Sequence, residues 1–214
     1  ALNLIGCKLK LVPALPYSNP GNYIRVSETL ADELNKTDKN GVLWANQFDN
    51  VSNMNGHYDT TGPEIWTQLD GKVDGFTCAV GTGGTLAGVS KYLKEKKKDI
   101  KIFLSDPYGS ALYNYYKKDE LKAEGNSITE GIGQGRITEN LKNLVVDDAL
   151  RIDDKEALEM IFKLLKEEGL FLGGSSGINV CGAIKMAKKL GPRSNIVTIL
   201  CDSGQRYQSK IWNK

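Results

Sequence analysis

The sequence predicts an α/β protein, parallel sheets flanked by helices, and three observations predict it. Segments with strand period alternate with segments of helical period along most of the chain. Two glycine clusters, "VGTGGT" and "LGGSSG", each follow an apolar run and open a helical pattern. Hydrophobic residues make up 40% of 214 residues and charged residues 25%, which is enough apolar side chain for a core and ordinary for a globular chain.

Taken in order, "CKLKLVPA" alternates apolar and polar positions and reads as a half-buried strand. "NYIRVSETLADELNK" places Tyr23, Val26, Leu30 and Leu34 on one helical face, and "GVLWANQF" reads as the strand that closes the unit. Near residues 48–60 the composition turns to Asn and Gly, which sets an expected boundary between a partial small α/β domain, 1–50, and a larger α/β domain, 51–214. "TTGPEIWTQL" then predicts a helix with Pro63 in its first turn, where a missing N–H does no harm. "VDGFTCAV", "GGTLAGVSKYLKEK" and "IKIFLSD" predict strand, helix and strand. Residues 107–150 are the least regular part. "DDKEALEMIFKLLKEEG" has Asp153 as N-cap, Glu156 three residues on, and Gly169 as terminator. "SGINVCGAIKMAKKLG" predicts another helix, "NIVTILC" a strand, and "YQSKIWNK" a short terminal helix.

Several function classes are excluded. The net charge is only +2, and the one basic run, Lys94 to Lys98, is relieved by Glu95 and reads as the solvated end of a helix rather than a nucleic-acid contact. No window approaches the ~18 apolar residues of a membrane span. Cys7, Cys78, Cys181 and Cys201 have no CxxC spacing, so neither a disulfide framework nor a zinc site is expected, and a reducing compartment fits. The single histidine, His57, rules out a His-based metal cluster and reads as a polar loop residue. The first residues carry no charged segment ahead of an apolar one, so they do not read as a signal peptide.

Between "FTCAV" and "LAGVSKYL", the glycines occupy a strand-to-helix turn. There the helix supplies unpaired N–H groups and the positive end of its dipole, so a phosphate can sit. A side chain would keep the anion off the backbone, and Thr82 and Thr85 can add hydroxyl donors. A P-loop needs Lys and Ser or Thr after the last glycine, where Leu86 and Ala87 stand instead. The dinucleotide fingerprint lacks its third glycine at Leu86, although Asp106 ends the next strand where a ribose-binding acid would stand, which leaves a nicotinamide or flavin enzyme as a rival. The second cluster looks like the same device used again, with helix capping as the plain alternative for Ser175 and Ser176.

Five motifs in order, "HYDTTGPEIW", "VGTGGTLAGVSKYLKE", "EGIGQGR", "GGSSGINV" and "CDSGQRY", resemble those of the cysteine synthases, or O-acetylserine sulfhydrylases. These are fold type II pyridoxal-phosphate enzymes, with a tryptophan synthase β-like fold. The resemblance covers nearly the whole chain and corresponds to the latter two-thirds of such an enzyme, with the N-terminal part missing. It implies pyridoxal 5'-phosphate as cofactor, with Gly81, Thr82, Gly83, Gly84 and Thr85 holding its phosphate and Ser175 meeting the pyridine nitrogen. It further implies that Gln47 meets the substrate carboxylate and that Gly131 belongs to a loop over the site.

The family's Schiff-base lysine lies in a motif of Ser, any residue, Lys, acid, Arg, and no such motif occurs here; Lys91 and Lys210 follow serines in other contexts. The Thr-Ser-Gly-Asn-Thr loop that grips the substrate carboxylate is also absent. No catalytic residue is therefore assigned in this chain, no metal is expected, and the chain alone is expected to be inactive. The resemblance implies cysteine synthesis from O-acetylserine and sulfide. The rivals are a cystathionine β-synthase or a serine or threonine deaminase of the same fold, and a non-catalytic module that binds a phosphorylated ligand. A homodimer, a complex with serine acetyltransferase, and a cytoplasmic location with a mitochondrial alternative complete the expectations.

Overall fold

A computed structural model describes residues 2–213, and the chain divides into two compact units, Ala1–Asn46 and Gln47–Lys214. This division and the expected boundary at 50/51 both leave the two glycine clusters in the second unit.

The first unit holds a 3-10 turn, Leu2–Ile5, and one helix, α1 (Tyr23–Asn35). Asn22 caps α1: its side-chain oxygen accepts from the Ile24 N–H at 3.0 Å while its amide donates to Leu15 O at 2.6 Å. The expected apolar face of this helix stays largely in solvent, because Tyr23 and Leu34 are exposed and Ala31 is its buried residue. Neither strand expected here forms among the described residues. Alternation makes a strand only when a neighbour offers a ladder, and 7–16 meet none; Leu11 is 91% exposed.

The second unit is built on a parallel sheet of four strands, β1 (Gly75–Cys78), β2 (Lys101–Pro107), β3 (Asp148–Ile152) and β4 (Ile196–Val197), in the order β3-β2-β1-β4. The helices are α2 (Ser52–Asp59), α3 (Thr61–Gln68), α4 (Gly84–Lys96), α5 (Leu112–Lys118), α6 (Asp154–Glu168) and α7 (Gly174–Leu190). Period-two alternation sends Phe76, Cys78, Ile102 and Leu104 into one core with Leu86, Val89 and Leu93 of α4. On the other face, Phe103, Leu150 and Ile152 meet Ala157 of α6 and Ile178, Cys181 and Met186 of α7. Each fully buried large side chain there contributes about 1.5–3 kcal/mol. Cys78 and Cys181 are buried within these cores and Cys7 is exposed, whereas Cys201 is an exposed residue whose sulfur faces inward, 3.4 Å from Asn179 Nδ2.

Helix α6 follows its sequence signals. Asp153 accepts from the Lys155 N–H at 2.8 Å and Gly169 ends the helix in the left-handed region at φ 71°. Glu156 does not reach back to the cap; it pairs with Lys185 of α7 at 2.7 Å, joining the two helices. The irregular stretch 107–150 hides α5, β3 and a 3-10 turn, Glu139–Leu141. Helix α2 was also hidden, by its Asn, Gly and His content. Close packing enforces it: a side-chain carbon at Gly88 of α4 would overlap Met54 O. The basic run at the end of α4 is partly paired, with Lys94 to Asp147 at 3.0 Å and Lys97 to Asp74 at 3.1 Å.

The strand expected over 195–201 shrinks to two residues because side chains replace its ladder. Thr198 Oγ1 donates to Thr77 O at 2.7 Å, and Asn179 of α7 accepts from the Ala79 N–H and donates to Ile199 O, both at 2.7 Å. The terminal helix expected from Tyr207 is instead a 3-10 turn over Gly204–Tyr207, followed by turns; its last residue, 214, lies outside the described residues. Among the described residues, no helix is long and apolar enough to cross a membrane.

Candidate cofactor site

The first glycine cluster occupies the turn between β1 and α4, at the carboxyl end of the sheet. Gly83 is the N-cap residue at φ 94°, a conformation that favours glycine, and no side chain caps the helix. Four backbone N–H groups, those of Thr82, Gly83, Thr85 and Leu86, meet no acceptor among the described residues. The Gly84 N–H makes only a 3.4 Å contact with Thr82 Oγ1. The carbonyls that would otherwise close this turn face away from it: Gly81 O accepts from Gln134 Nε2 at 3.0 Å and Thr82 O from Thr138 Oγ1 at 2.7 Å. The helix start is thus left with donors and a positive dipole end, the electrostatics that receive an anion.

The glycines are also required by what lies behind them. A side-chain carbon at Gly81 would overlap Gly131 O, one at Gly83 would press on Leu141, and one at Gly84 would overlap the Asn53 amide. Protein packs against the backs of these residues, and their N–H groups are left for the front. The same contact seats the Gly131 loop against the turn; Gly131 itself has φ 75° and open space around its Cα, and Gly133 N–H donates to Val80 O at 2.9 Å.

Side chains that no motif highlighted hold the site together. Asn53, in the first turn of α2, donates to Gln47 O at 2.8 Å and to Thr82 Oγ1 at 2.9 Å. Buried Asn140 donates to Gln47 O at 3.1 Å and Phe48 O at 2.7 Å, and accepts from the Met54 N–H. Arg136 grips Asp49 with two bonds of 2.9 and 2.7 Å, and the guanidinium holds that carboxyl below its usual range. Gln47 therefore has a fixed backbone and an exposed side chain. The polar pattern of "DNVSN", beside Gln47, carries the signal for these contacts, and composition alone reads it as a boundary.

His57 lies in α2, not in a loop. Its Nδ1 is 3.0 Å from Thr61 Oγ1 and its Nε2 is 3.1 Å from Thr85 Oγ1. Burial lowers its pKa, so the ring is neutral at physiological pH, one nitrogen donating and the other accepting.

The second glycine cluster opens α7 with Gly173 as N-cap. Neither serine is the cap. Ser176 Oγ accepts from the Cys201 N–H at 3.0 Å and Gly173 N–H donates to Asp202 O at 3.0 Å, so this turn holds the segment 201–202. Ser175 is buried, 6% exposed, with its hydroxyl against the Cys201 thiol; burial, the larger influence, pushes that thiol up. Asn179 draws this helix start beside Ala79, so both clusters lie at the same end of the sheet. Asp106, the candidate ribose acid of the rival reading, is fully buried and accepts from the Tyr113 N–H at 2.8 Å, out of reach of a ribose.

A parallel sheet with an anion-receiving helix start at its carboxyl end defines a class, the α/β proteins that take phosphorylated ligands at strand ends. Residues 2–202 match the family model described as pyridoxal-phosphate dependent enzyme, and the chain belongs to that family. Cysteine synthase 1 of Neurospora crassa is 47% identical over 218 residues, covering 100% of this chain and 57% of that protein. Cysteine synthase 1 of Emericella nidulans is also 47% identical, covering 100% of this chain and 58% of its own length. The crystal structure of O-acetylserine sulfhydrylase isoform 3 from Entamoeba histolytica superposes with a TM-score of 0.81 at 34% identity, over 98% of this chain and 59% of that one. The chain thus spans a little under three-fifths of the relatives it matches. The resemblance read from five motifs holds at the level of the family and of the fold.

Proposed function

We propose that this chain is the cofactor-cradling part of a cysteine synthase, which replaces the acetate of O-acetylserine with sulfide. The observation that carries this reading is the set of unpartnered N–H groups at the Gly81 to Thr85 turn, in a chain 47% identical to named cysteine synthases. When bound, pyridoxal phosphate supplies an electron sink for charge developing on the substrate.

The residues have separate tasks in this proposal. Gly81, Thr82, Gly83, Gly84 and Thr85 hold the phosphate through backbone N–H groups and two hydroxyls. Ser175 faces the pyridine nitrogen with a neutral hydroxyl, which leaves the ring a weaker sink than a carboxylate partner would. Gln47 orients the substrate carboxylate with its exposed side chain, and the loop of Gly131 covers the bound substrate and excludes water.

The Schiff-base lysine is not among residues 1–214 in this reading. Lys91 stands over the Tyr58 ring at 4.6 Å and Lys210 pairs with Glu130 at 2.7 Å, each engaged elsewhere. The chain alone then neither bonds the cofactor covalently nor removes the substrate α-proton. Borohydride reduction of the chain with pyridoxal phosphate, followed by peptide mapping, is expected to leave every lysine unlabelled at stoichiometric level; a label on Lys91 or Lys210 overturns this part.

One neighbour favours a second reading. The crystal structure of an O-acetylserine dependent cystathionine beta-synthase from Helicobacter pylori superposes with a TM-score of 0.77 at 34% identity, covering 87% of this chain and 58% of that one. Assays of the complete protein with O-acetylserine and either sulfide or homocysteine separate the two. Turnover with sulfide alone is the expected result, and a preference for homocysteine would replace the proposal. A homodimer, an association with serine acetyltransferase and a cytoplasmic rather than mitochondrial location belong to the same proposal. Sedimentation, co-purification and cell fractionation of the complete protein test them.

A further inference from the structure

We propose that Asn53 is a positioning residue that aims the Thr82 hydroxyl proton at the cofactor phosphate. This rests on the reading above that the Gly81 to Thr85 turn holds that phosphate. The argument starts from Gln47 O, which can only accept a hydrogen bond. The Asn53 side chain approaches it at 2.8 Å, so the nitrogen of the amide, not its oxygen, must face Gln47. The second hydrogen of that same nitrogen then falls on Thr82 Oγ1, 2.9 Å away.

Thr82 Oγ1 therefore receives a donor, and the Gly84 N–H approaches the same oxygen at 3.4 Å. A hydroxyl oxygen has two lone pairs and one proton. With N–H groups on the oxygen, the proton is the part left over, and it points away from both donors. That direction is the one an anion on the helix start needs, since the neighbouring N–H groups of Thr82, Gly83, Thr85 and Leu86 are likewise unpartnered. The close fit of Gly84 against the amide, where any side chain would overlap it, fixes Asn53 in this pose. Gln47 O in turn is held by Asn140 at 3.1 Å, so the orienting acceptor is itself anchored.

The test reconstitutes the apo form of the complete protein with pyridoxal phosphate and with pyridoxal, which lacks the phosphate. The dissociation constant of pyridoxal divided by that of pyridoxal phosphate isolates the grip on the phosphate, because a merely structural loss weakens both ligands alike. Asn53→Ala and Thr82→Val are each expected to lower this ratio about 10-fold. The double variant is expected to fall no further, because Asn53 acts through Thr82. An Asn53→Ala ratio within about twofold of the wild type, or a full additional loss in the Thr82→Val background, overturns the proposal while the phosphate reading stands. A wild-type ratio near unity removes the phosphate reading and this proposal with it.

Discussion

The two glycine clusters look alike in sequence and differ in what they hold. At the start of α4, the carbonyls of Gly81 and Thr82 are taken by Gln134 and Thr138, and the N–H groups are left over. At the start of α7, Ser176, Gly173 and Asn179 bond the backbone of Ala79 and of residues 199–202. The N–H groups of Gly174, Ser175 and Gly177 at the start of α7 likewise meet no acceptor among the described residues. On the proposed reading the first turn receives something outside the chain, whereas the second also clasps the chain itself. A strand, a glycine pair and a helix therefore define a place, and the partners of the carbonyls and hydroxyls decide its use.

If that contrast is right, damage at the clasp lowers stability and damage at the receiver lowers ligand affinity. Asn179→Ala is the largest expected effect: it leaves the Ala79 N–H and Ile199 O without partners and costs roughly 2–5 kcal/mol in urea unfolding. A loss under about 0.5 kcal/mol would show that the short β4 needs no clasp.

Asp106, at the end of the strand next to β1, comes second. Burial pushes its carboxyl up to about 6, against opposing bonds from Ser110 and Tyr113 and the Arg151 charge. Its folded pKa exceeds the unfolded one, so the folded state binds the extra proton. Stability is therefore highest below about pH 4 on this account and falls as pH rises through 6. Asp106→Asn is expected to abolish that fall and to gain on the order of 2 kcal/mol at pH 7. Asp49 contributes with the opposite sign. Its pKa is depressed by Arg136, so its stabilisation is lost only as pH drops below the usual carboxylate range. Denaturation midpoints from pH 3 to 8 read both slopes.

Third in size, Gly81→Ala presses a methyl group on Gly131 O, a backbone atom that cannot turn aside. About 1–3 kcal/mol of stability is expected to be lost, along with the fit of the Gly131 loop, as read by thermal melting. Thr82→Val is the smallest for stability, within about 0.5 kcal/mol, while affinity for pyridoxal phosphate should fall and that for pyridoxal should not. A large stability loss there would make the first turn a clasp as well.

How much of this was legible depends on how local each signal is. Helix α6 was readable end to end because Asp153, the apolar spacing and Gly169 all lie within its own stretch. The glycine turn after β1 was readable for the same reason. The strands expected over 7–14 and 41–48 failed because pairing is non-local, and no ladder partner exists for them among the described residues. Helix α2 was invisible because packing against Gly88, not the propensity of "SNMNGHYD", makes it helical. At the site, Asn53, Asn140 and Thr138 give no motif signal because most of their bonds span 29 to 93 positions of sequence, a relation that motif spacing cannot carry.

The buried sulfur of Cys78 at the end of β1 gives the molecule an internal clock. Burial lifts its pKa far above that of a free thiol, so it is neither ionised nor reachable by an alkylating reagent while the sheet is closed. Exposed Cys7 should react at once, and the lag before Cys78 follows measures how often the centre of the sheet comes open.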